Sequence, residues 1–179
     1  MKTIFEITPS ENDLDISTFK YQVELTKKLD NINSDFNQEI INEIILWKVN
    51  RYAKFDEKTI NLLNKINRNE ENFNQNLTGD ILLNLLKQKS VRLAMASTIL
   101  RFKNPKFYQI IDQRVYRFIY GKELNYSETN LNLQIVIYLD YIEKLKEVCQ
   151  KYQIKFEEAD RILYKMDKEY NKDLKLKGY

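Results

Sequence analysis

The sequence contains no histidine, one cysteine, three glycines and two prolines among its 179 residues. Without histidine, the chain cannot supply a Ser–His–Asp triad, a Cys–His pair or a histidine-ligated zinc site. The lone Cys149 excludes an internal disulfide and a cysteine-ligated iron–sulfur cluster. Any chemistry must use carboxylates, lysine, arginine, tyrosine, hydroxyl groups or a borrowed cofactor, and we expect neither a cofactor nor a metal.

Long apolar runs are also missing. The N-terminal segment MKTIFEITPS has too short an apolar stretch for a secretory signal, and no run reaches the ~18 apolar residues of a membrane span. We therefore expect a cytoplasmic protein that has no membrane partner.

The scarcity of glycine and proline predicts an all-α protein with short connections. Hydrophobic residues make up 43% of the chain, including 22 aromatic side chains, which is enough to form a core. The length predicts one helical domain over residues 1–179, arranged as two lobes that share a core. Its main parts are a hairpin and aspartate segment at 80–121 and C-terminal helices at 127–175.

Capping residues predict where several helices begin and end. Ser34, Asp56 and Ser127 are each followed by a helical apolar pattern. Pro105 predicts the end of a helix, because the residue before proline avoids helical angles. Asp112 is predicted to cap the helix QRVYRFIY, which Gly121 ends. The other expectations are an irregular segment 1–12, helices at 15–29 and 156–174, a loop at 68–79, and a helix that starts at Thr78 or Asp80.

Positive charge is concentrated near the middle of the chain. The whole chain carries a net charge of +3, but residues 80–123 hold nine cations and three acids, a local charge of +6. Such an excess is typical of a surface that binds a polyanion. The other interpretation is a solvated helix face without a partner.

The order of features in 80–121 is more specific than its charge. A short helix, a six-residue turn and a second short helix precede a proline-containing loop, and an aspartate then caps a basic helix. The segments are SVRLAMAS, KNPKFYQ and IIDQRVYR. In this order they resemble the helix-hairpin-helix DNA glycosylases, the superfamily of endonuclease III and the 8-oxoguanine glycosylases. The resemblance covers about 40 residues and predicts a helix-hairpin-helix element.

The resemblance implies that Asp112 matches the catalytic aspartate of these enzymes. Cleavage of an N-glycosidic bond builds positive charge on the deoxyribose, which a carboxylate stabilises while it activates water. Asp112 would then support base excision from damaged or modified duplex DNA. The alternative is that Asp112 is only a helix cap.

A DNA partner implies phosphate contacts from the basic segment. The candidates are Lys89, Arg92, Lys103, Arg114 and Arg117. The end of ILWKVNRY matches in order the place where relatives put residues that fill the space of an extruded base. Asn50, Arg51 and Lys48 are the candidates there. Trp47 and Tyr52 are candidates for base stacking, although core packing is the favoured interpretation of Trp47.

Two departures from the family pattern concern the hairpin. Ala94 stands where bifunctional members carry a Schiff-base lysine, so we expect a monofunctional hydrolase without the usual lyase activity. Ser90 and Arg92 replace the two glycines that let backbone amides approach a phosphate. These departures keep a second reading open: a non-catalytic module that binds nucleic acid or protein and retains only the fold.

Overall fold

The computed structural model describes residues 1–19, 23–49, 55–88 and 91–176. Within these ranges the regular structure is entirely helical, which confirms the predicted all-α class. Three 3-10 turns at Ile4–Glu6, Ile16–Thr18 and Phe156–Glu158 accompany the α-helices. The α-helices are α1 (Glu11–Leu14), α2 (Val23–Asp30), α3 (Gln38–Val49), α4 (Glu57–Leu63), α5 (Gln75–Leu86), α6 (Leu93–Lys103), α7 (Gln113–Tyr120), α8 (Leu131–Tyr152) and α9 (Ala159–Tyr170).

Helix α6 lies at the centre of the molecule. Its sequence LAMASTILRFK is uncharged over the first eight residues, and every side chain except Ala94 is buried. A helix whose side chains are buried on all sides needs neighbours that cover it, and α3, α5 and α8 pack around α6. The helix ends at Lys103 with Asn104 as its C-cap, and Pro105 follows, as predicted.

The two ends of the described chain meet beside α7. The backbone N–H of Lys2 donates to Asn171 Oδ1 at 2.8 Å, and Asn171 Nδ2 donates back to the Lys2 carbonyl at 2.7 Å. Ile4 is fully buried in the core. The segment 1–12, predicted to be irregular, therefore contains a 3-10 turn and the start of α1 that pack against α7 and α9.

An ionic cluster joins α2, α6 and α9. Asp30, the last residue of α2, accepts hydrogen bonds from Arg101 at 2.5 Å and from Arg161 at 2.6 Å. Arg68 donates to the Asp30 carbonyl and to the carbonyl of Phe102. Because these partners lie far apart in sequence, the cluster fixes how three helices meet.

The predicted start of α3 at Ser34 is wrong. Asn64 holds the Phe36 backbone, accepting from its N–H at 2.6 Å and donating to its carbonyl at 2.8 Å. This pairing commits the Phe36 backbone to Asn64, so the helix begins only after Asn37, whose side chain accepts from Ile40 N–H at 3.0 Å.

Two further starts differ from the prediction. Helix α5 begins after Asn74 and not at Thr78 or Asp80, so the predicted loop 68–79 is shorter. Helix α8 begins after Asn130, because the carbonyls of Ser127 and Glu128 accept bonds from Gln134 Nε2 instead of entering the helix.

The remaining boundaries follow the prediction more closely. Asp56 caps α4 as predicted, with its side chain accepting from Thr59 N–H at 2.7 Å. The predicted helix 15–29 is divided, with a 3-10 turn and α2 in its place, and the predicted helix 156–174 consists of a 3-10 turn followed by α9. No helix in the described part of the chain is long and apolar enough to cross a membrane.

Candidate nucleic-acid interface around Asp112

Asp112 caps α7 as predicted. Its Oδ1 atom accepts a hydrogen bond from the backbone N–H of Arg114 at 2.8 Å. The helix ends at Gly121, whose φ of 68° is left-handed and whose N–H donates to the Arg117 carbonyl at 2.8 Å. The short sequence between a polar cap and a terminal glycine was therefore sufficient to define this element.

The second carboxylate oxygen of Asp112 faces a lysine from another helix. Lys48 Nζ, near the end of α3, lies 3.7 Å from Asp112 Oδ2. The Lys48 and Asp112 side chains are 19% and 14% exposed, so both reach solvent over a small area. One oxygen thus serves the helix and the other remains next to a cation at the surface of the fold.

Two buried tyrosines hold the loop that leads to Asp112. Tyr138 and Tyr141 of α8 donate their hydroxyl hydrogens to the carbonyls of Gln109, at 3.1 Å, and Ile110, at 2.7 Å. Burial raises the pKa of both phenols well above the usual value, so they remain donors at any working pH.

Ser97 completes the restraint on this loop from the side of α6. The Ile111 N–H donates to Ser97 Oγ at 3.1 Å. Beyond Asp112, Gln113 exchanges two hydrogen bonds with the backbone of Leu124, at 2.9 and 3.0 Å. We call residues 109–111, with their bonds to α6 and α8, the clamped loop. It fixes the backbone directly before Asp112.

The connection between α5 and α6 is the segment for which the sequence predicts the hairpin turn. Its residues Lys89 and Ser90 lie outside the described residues. Arg92 is 60% exposed and pairs with Glu128, itself 65% exposed. Ala94 lies in the first turn of α6, and its carbonyl accepts from Ser97 and Thr98. Arg92 is therefore placed at a surface, whereas Ala94 contributes only backbone.

A small cavity opens beside this connection. Its volume is about 170 Å³, and apolar side chains form part of the wall while an exposed ion pair lies at its edge. The lining residues are Leu86, Val91, Arg92, Tyr126, Glu128, Leu131 and Gln134.

The expected phosphate contact by Arg117 requires correction. Arg117 is 1% exposed and forms two hydrogen bonds of 2.7 Å with the fully buried Asp167 of α9. Arg114 is 28% exposed and donates to the same carboxylate at 3.2 Å. Helix α7 therefore directs Arg117 inward, and only Arg114 keeps partial access to solvent.

The expected phosphate contact by Lys103 also requires correction, because this side chain is buried as well. Its side chain is 5% exposed, donates to Asn64 Oδ1 at 2.9 Å and lies 4.6 Å above the Phe36 ring. Burial lowers the pKa of Lys103, although the charges of Asp35 and Glu70 act in the opposite direction. Lys103 stabilises the junction of α3, α4 and α6 and presents no charge to a phosphate.

The residues proposed to fill the space of an extruded base are placed only in part. Asn50, Arg51 and Tyr52 lie outside the described residues. Trp47 is 4% exposed, packs edge-on against Phe102 with ring centroids 5.2 Å apart, and donates from Nε1 to Thr26 at 2.6 Å. This confirms the favoured interpretation of Trp47 as a core residue.

Sequence reasoning missed the partners of the charged groups. Asp167 is the clearest example, although the sequence around it does indicate that its side chain is buried. It lies four residues after the buried Leu163 and next to the buried Met166, on the apolar side of α9. An acid at an apolar position predicts a buried cation. No comparable pattern indicated that Lys48 would meet Asp112.

Among the described residues, no group of three or more acidic or cysteine side chains is positioned to hold a metal ion. The chemical groups brought together at Asp112 are a carboxylate on a restrained backbone and the neighbouring Lys48 amine. Arg92 instead pairs with Glu128. The chain matches no protein-family model and no curated protein, and a search of solved structures also finds no match.

Proposed function

We propose that this chain is a DNA-binding protein of the DNA glycosylase type, which hydrolyses the N-glycosidic bond of a damaged or modified base through Asp112. The proposal includes the helix-hairpin-helix assignment of α5, α6 and their connection. It is supported by one observation above others: Asp112 keeps one oxygen for its helix and presents the other beside a cation at a solvent-accessible position.

This geometry suits the chemistry of base hydrolysis. As the bond to the base breaks, C1′ of the sugar becomes cationic, and a carboxylate that is already oriented stabilises this charge without reorganising. The clamped loop supplies the orientation, since successive backbone groups at 109, 110 and 111 are bonded to α6 and α8. Asp112 can therefore be both a helix cap and a catalytic carboxylate.

The decisive experiment measures base release from duplexes that carry oxidised, deaminated or alkylated bases. We expect Asp112→Asn to lower the rate by about 100-fold or more, because it removes the charge that stabilises the transition state. Asparagine is itself a good N-cap, so the variant should keep α7. Equal rates for the variant and the original chain would remove Asp112 from the mechanism.

A matched control is available on α4. Asp56 caps that helix through a bond of the same kind, to Thr59 N–H at 2.7 Å. Asp56→Asn therefore makes the same chemical change at a cap with no proposed catalytic role. We expect it to leave base release within about twofold. A comparable loss in both variants would show that capping, and not catalysis, explains the effect.

The second candidate is a binding module without turnover, and Ala94 favours it. Ala94 lies in the first turn of α6, where its carbonyl accepts hydrogen bonds from Ser97 and Thr98 and its side chain offers no nucleophile. Such a module would bind duplex DNA with an affinity that falls steeply with salt, about −0.9 per phosphate contact on a logarithmic scale. Salt-dependent binding without release of any tested base would support it.

A further inference from the structure

We propose that the cavity beside the hairpin connection binds a free α-amino acid with an apolar side chain, such as phenylalanine or leucine. The side chain would fill the cavity, and the two charged groups of the amino acid would meet the ion pair of Arg92 and Glu128 at its edge. The inference goes beyond the proposed base hydrolysis, which uses Asp112, and its test needs no DNA.

The walls of the cavity suit an apolar group of limited size. Leu86 and Val91 are buried, and Leu131, in the first turn of α8, is partly buried. The cavity volume of about 170 Å³ is close to the ~150 Å³ of an apolar protein cavity that holds one benzene molecule. One aromatic ring or one branched aliphatic side chain therefore fits against these walls.

The edge of the cavity presents one positive and one negative charge. Arg92 is the N-cap residue of α6, where its carbonyl accepts from Ala96 N–H at 2.9 Å, and its guanidinium pairs with Glu128. An α-amino acid carries its carboxylate and its ammonium group on the same carbon, so its two charges also lie close together. The carboxylate would accept a forked pair of hydrogen bonds from Arg92, and the ammonium would donate to Glu128.

A buried amide holds the segment that carries Glu128. Gln134 also lines the cavity, and its Nε2 donates to the carbonyls of Ser127 and Glu128, both at 3.1 Å. Tyr126 lies on the same wall, where burial raises the pKa of its phenol although the charge of Arg92 acts in the opposite direction. The Glu128 backbone is therefore restrained, while its exposed carboxylate can turn toward a ligand.

The ion pair at the edge is easily opened. Both side chains are more than half exposed, and a pair of this kind contributes little to stability. A bound amino acid would replace one contact between charges by two, and its side chain would leave water for an apolar wall. The buried arginines around Asp30 could not exchange partners in this way, because a charge left unpaired there would be costly.

The test is an NMR titration of the isotope-labelled chain with L-phenylalanine. We expect the amide signals of Val91 and Glu128 to shift, with a dissociation constant of about 1 mM or tighter. Glycine keeps both charges but has no side chain, hydrocinnamate lacks the ammonium group, and phenethylamine lacks the carboxylate. Each should bind about tenfold or more weakly than phenylalanine.

Three results of this titration would overturn the proposal. The first is the absence of shifts at these residues at about ten times the expected dissociation constant. The second is equal binding of glycine and phenylalanine, which would show that the cavity takes no part. The third is equal binding of hydrocinnamate or phenethylamine, which would show that the paired charges do not recognise a zwitterion.

Variants of the two charged residues test the assignment of each group. Arg92→Gln and Glu128→Gln should each weaken phenylalanine binding about tenfold or more, whereas Arg92→Gln should not weaken the binding of phenethylamine, which lacks a carboxylate. Glu147→Gln is the matched control, because Glu147 lies on α8, is 65% exposed like Glu128, and pairs with Lys144.

We expect Glu147→Gln to bind phenylalanine as the original chain does. An equal loss in Glu128→Gln and Glu147→Gln would show a general effect of charge and reject the site. Unchanged binding in Arg92→Gln would likewise reject it. All three positions are exposed, so the variants should keep the fold, which circular dichroism would verify.

Discussion

At the scale of single residues, Asp30 shows how much of the charge in this chain is structural. Its carboxylate receives Arg101 and Arg161, whose side chains are 3% and 10% exposed. Burial alone would raise the pKa of Asp30, but the hydrogen bond from Arg161 and the charges of both arginines hold it below the ordinary value of 3.8. The folded state therefore favours the ionised carboxylate.

The sign of this shift predicts a pH dependence. A carboxylate whose pKa is lower in the folded state contributes stability above the unfolded value, and the contribution is lost as pH falls through the folded value. Asp30→Asn should lower the free energy of unfolding by about 2 kcal/mol at neutral pH, because it leaves two buried arginines without a counter-charge. Urea unfolding measured at neutral pH and below about pH 4 should show this difference shrinking in acid.

Asp35→Asn is a suitable control, since the Asp35 side chain is 84% exposed and lies 3.8 Å from Lys103. Its effect should stay within about 0.5 kcal/mol at every pH. A difference between Asp30→Asn and the original chain that grew in acid would contradict the assigned role of the carboxylate.

The partners of individual charges could not be predicted from sequence. Arg117 and Asp167 are separated by 50 positions, and helical periodicity states only which side of its own helix each residue occupies. The local sequence around Arg117 therefore predicted a basic surface, whereas tertiary packing turned this arginine inward. The ion pair of Lys48 with Asp112 could not be predicted either, because these two residues also lie far apart in sequence.

At the scale of elements, two glycines provide opposite tests of local structure. Gly121 ends α7 with φ at +68°, and a Cβ atom there would lie 3.3 Å from Thr3 Cγ2. Gly79 lies inside α5, where a Cβ atom would meet Ile135 Cγ2 at an ordinary 3.9 Å. Only the first position needs a residue without a side chain.

Substitution by alanine should therefore change stability in opposite directions. Gly121→Ala should destabilise the protein by about 1 kcal/mol, because alanine resists the left-handed conformation and crowds Thr3. Gly79→Ala should stabilise it by about 0.5–1 kcal/mol, because alanine favours the helix. Thermal and urea denaturation of the two variants would check this, and a destabilising Gly79→Ala would show that the space beside Ile135 is insufficient.

Helix ends were predicted correctly where a single residue determines the boundary through its own chemistry. Pro105, Asp112 and Gly121 act through their own backbone chemistry, and all three mark boundaries as expected. Ser34 and Ser127 failed because asparagines three residues later, Asn37 and Asn130, compete for the same role. Long-range bonds to Phe36 and short-range bonds to Ser127 decided that competition.

At the scale of the whole molecule, one hydrophobic core reaches from Ile4 to Met166 and includes residues of α2 to α9. The all-α class followed from composition and periodicity, since little in the sequence could interrupt helices. The predicted division into two lobes stays a prediction. Which helices pack against each other could not be predicted, because many helices in this chain have similar apolar faces and the sequence pattern does not identify the partner of each face.

A shared core predicts one cooperative unfolding transition. Trp47 reports on the contact of α3 with α6, far-ultraviolet circular dichroism on all helices, and the buried Cys149 on α8. We expect tryptophan emission, helicity and thiol labelling of Cys149 to change at the same urea concentration. If Trp47 emission changed at a lower concentration than helicity, two separately folding lobes would be indicated.

The clamped loop has a consequence for how any ligand approaches Asp112. The carbonyls of Gln109 and Ile110 and the N–H of Ile111 are already hydrogen-bonded to α8 and α6. The backbone on this side of Asp112 therefore has little freedom to change conformation. Adjustment to an incoming molecule must come from the opposite side, where the Lys48 side chain has a flexible stem and partial exposure. A ligand at Asp112 would then meet a backbone of fixed conformation on one side and the Lys48 side chain, which can change conformation, on the other. The fixed backbone would determine which ligands fit.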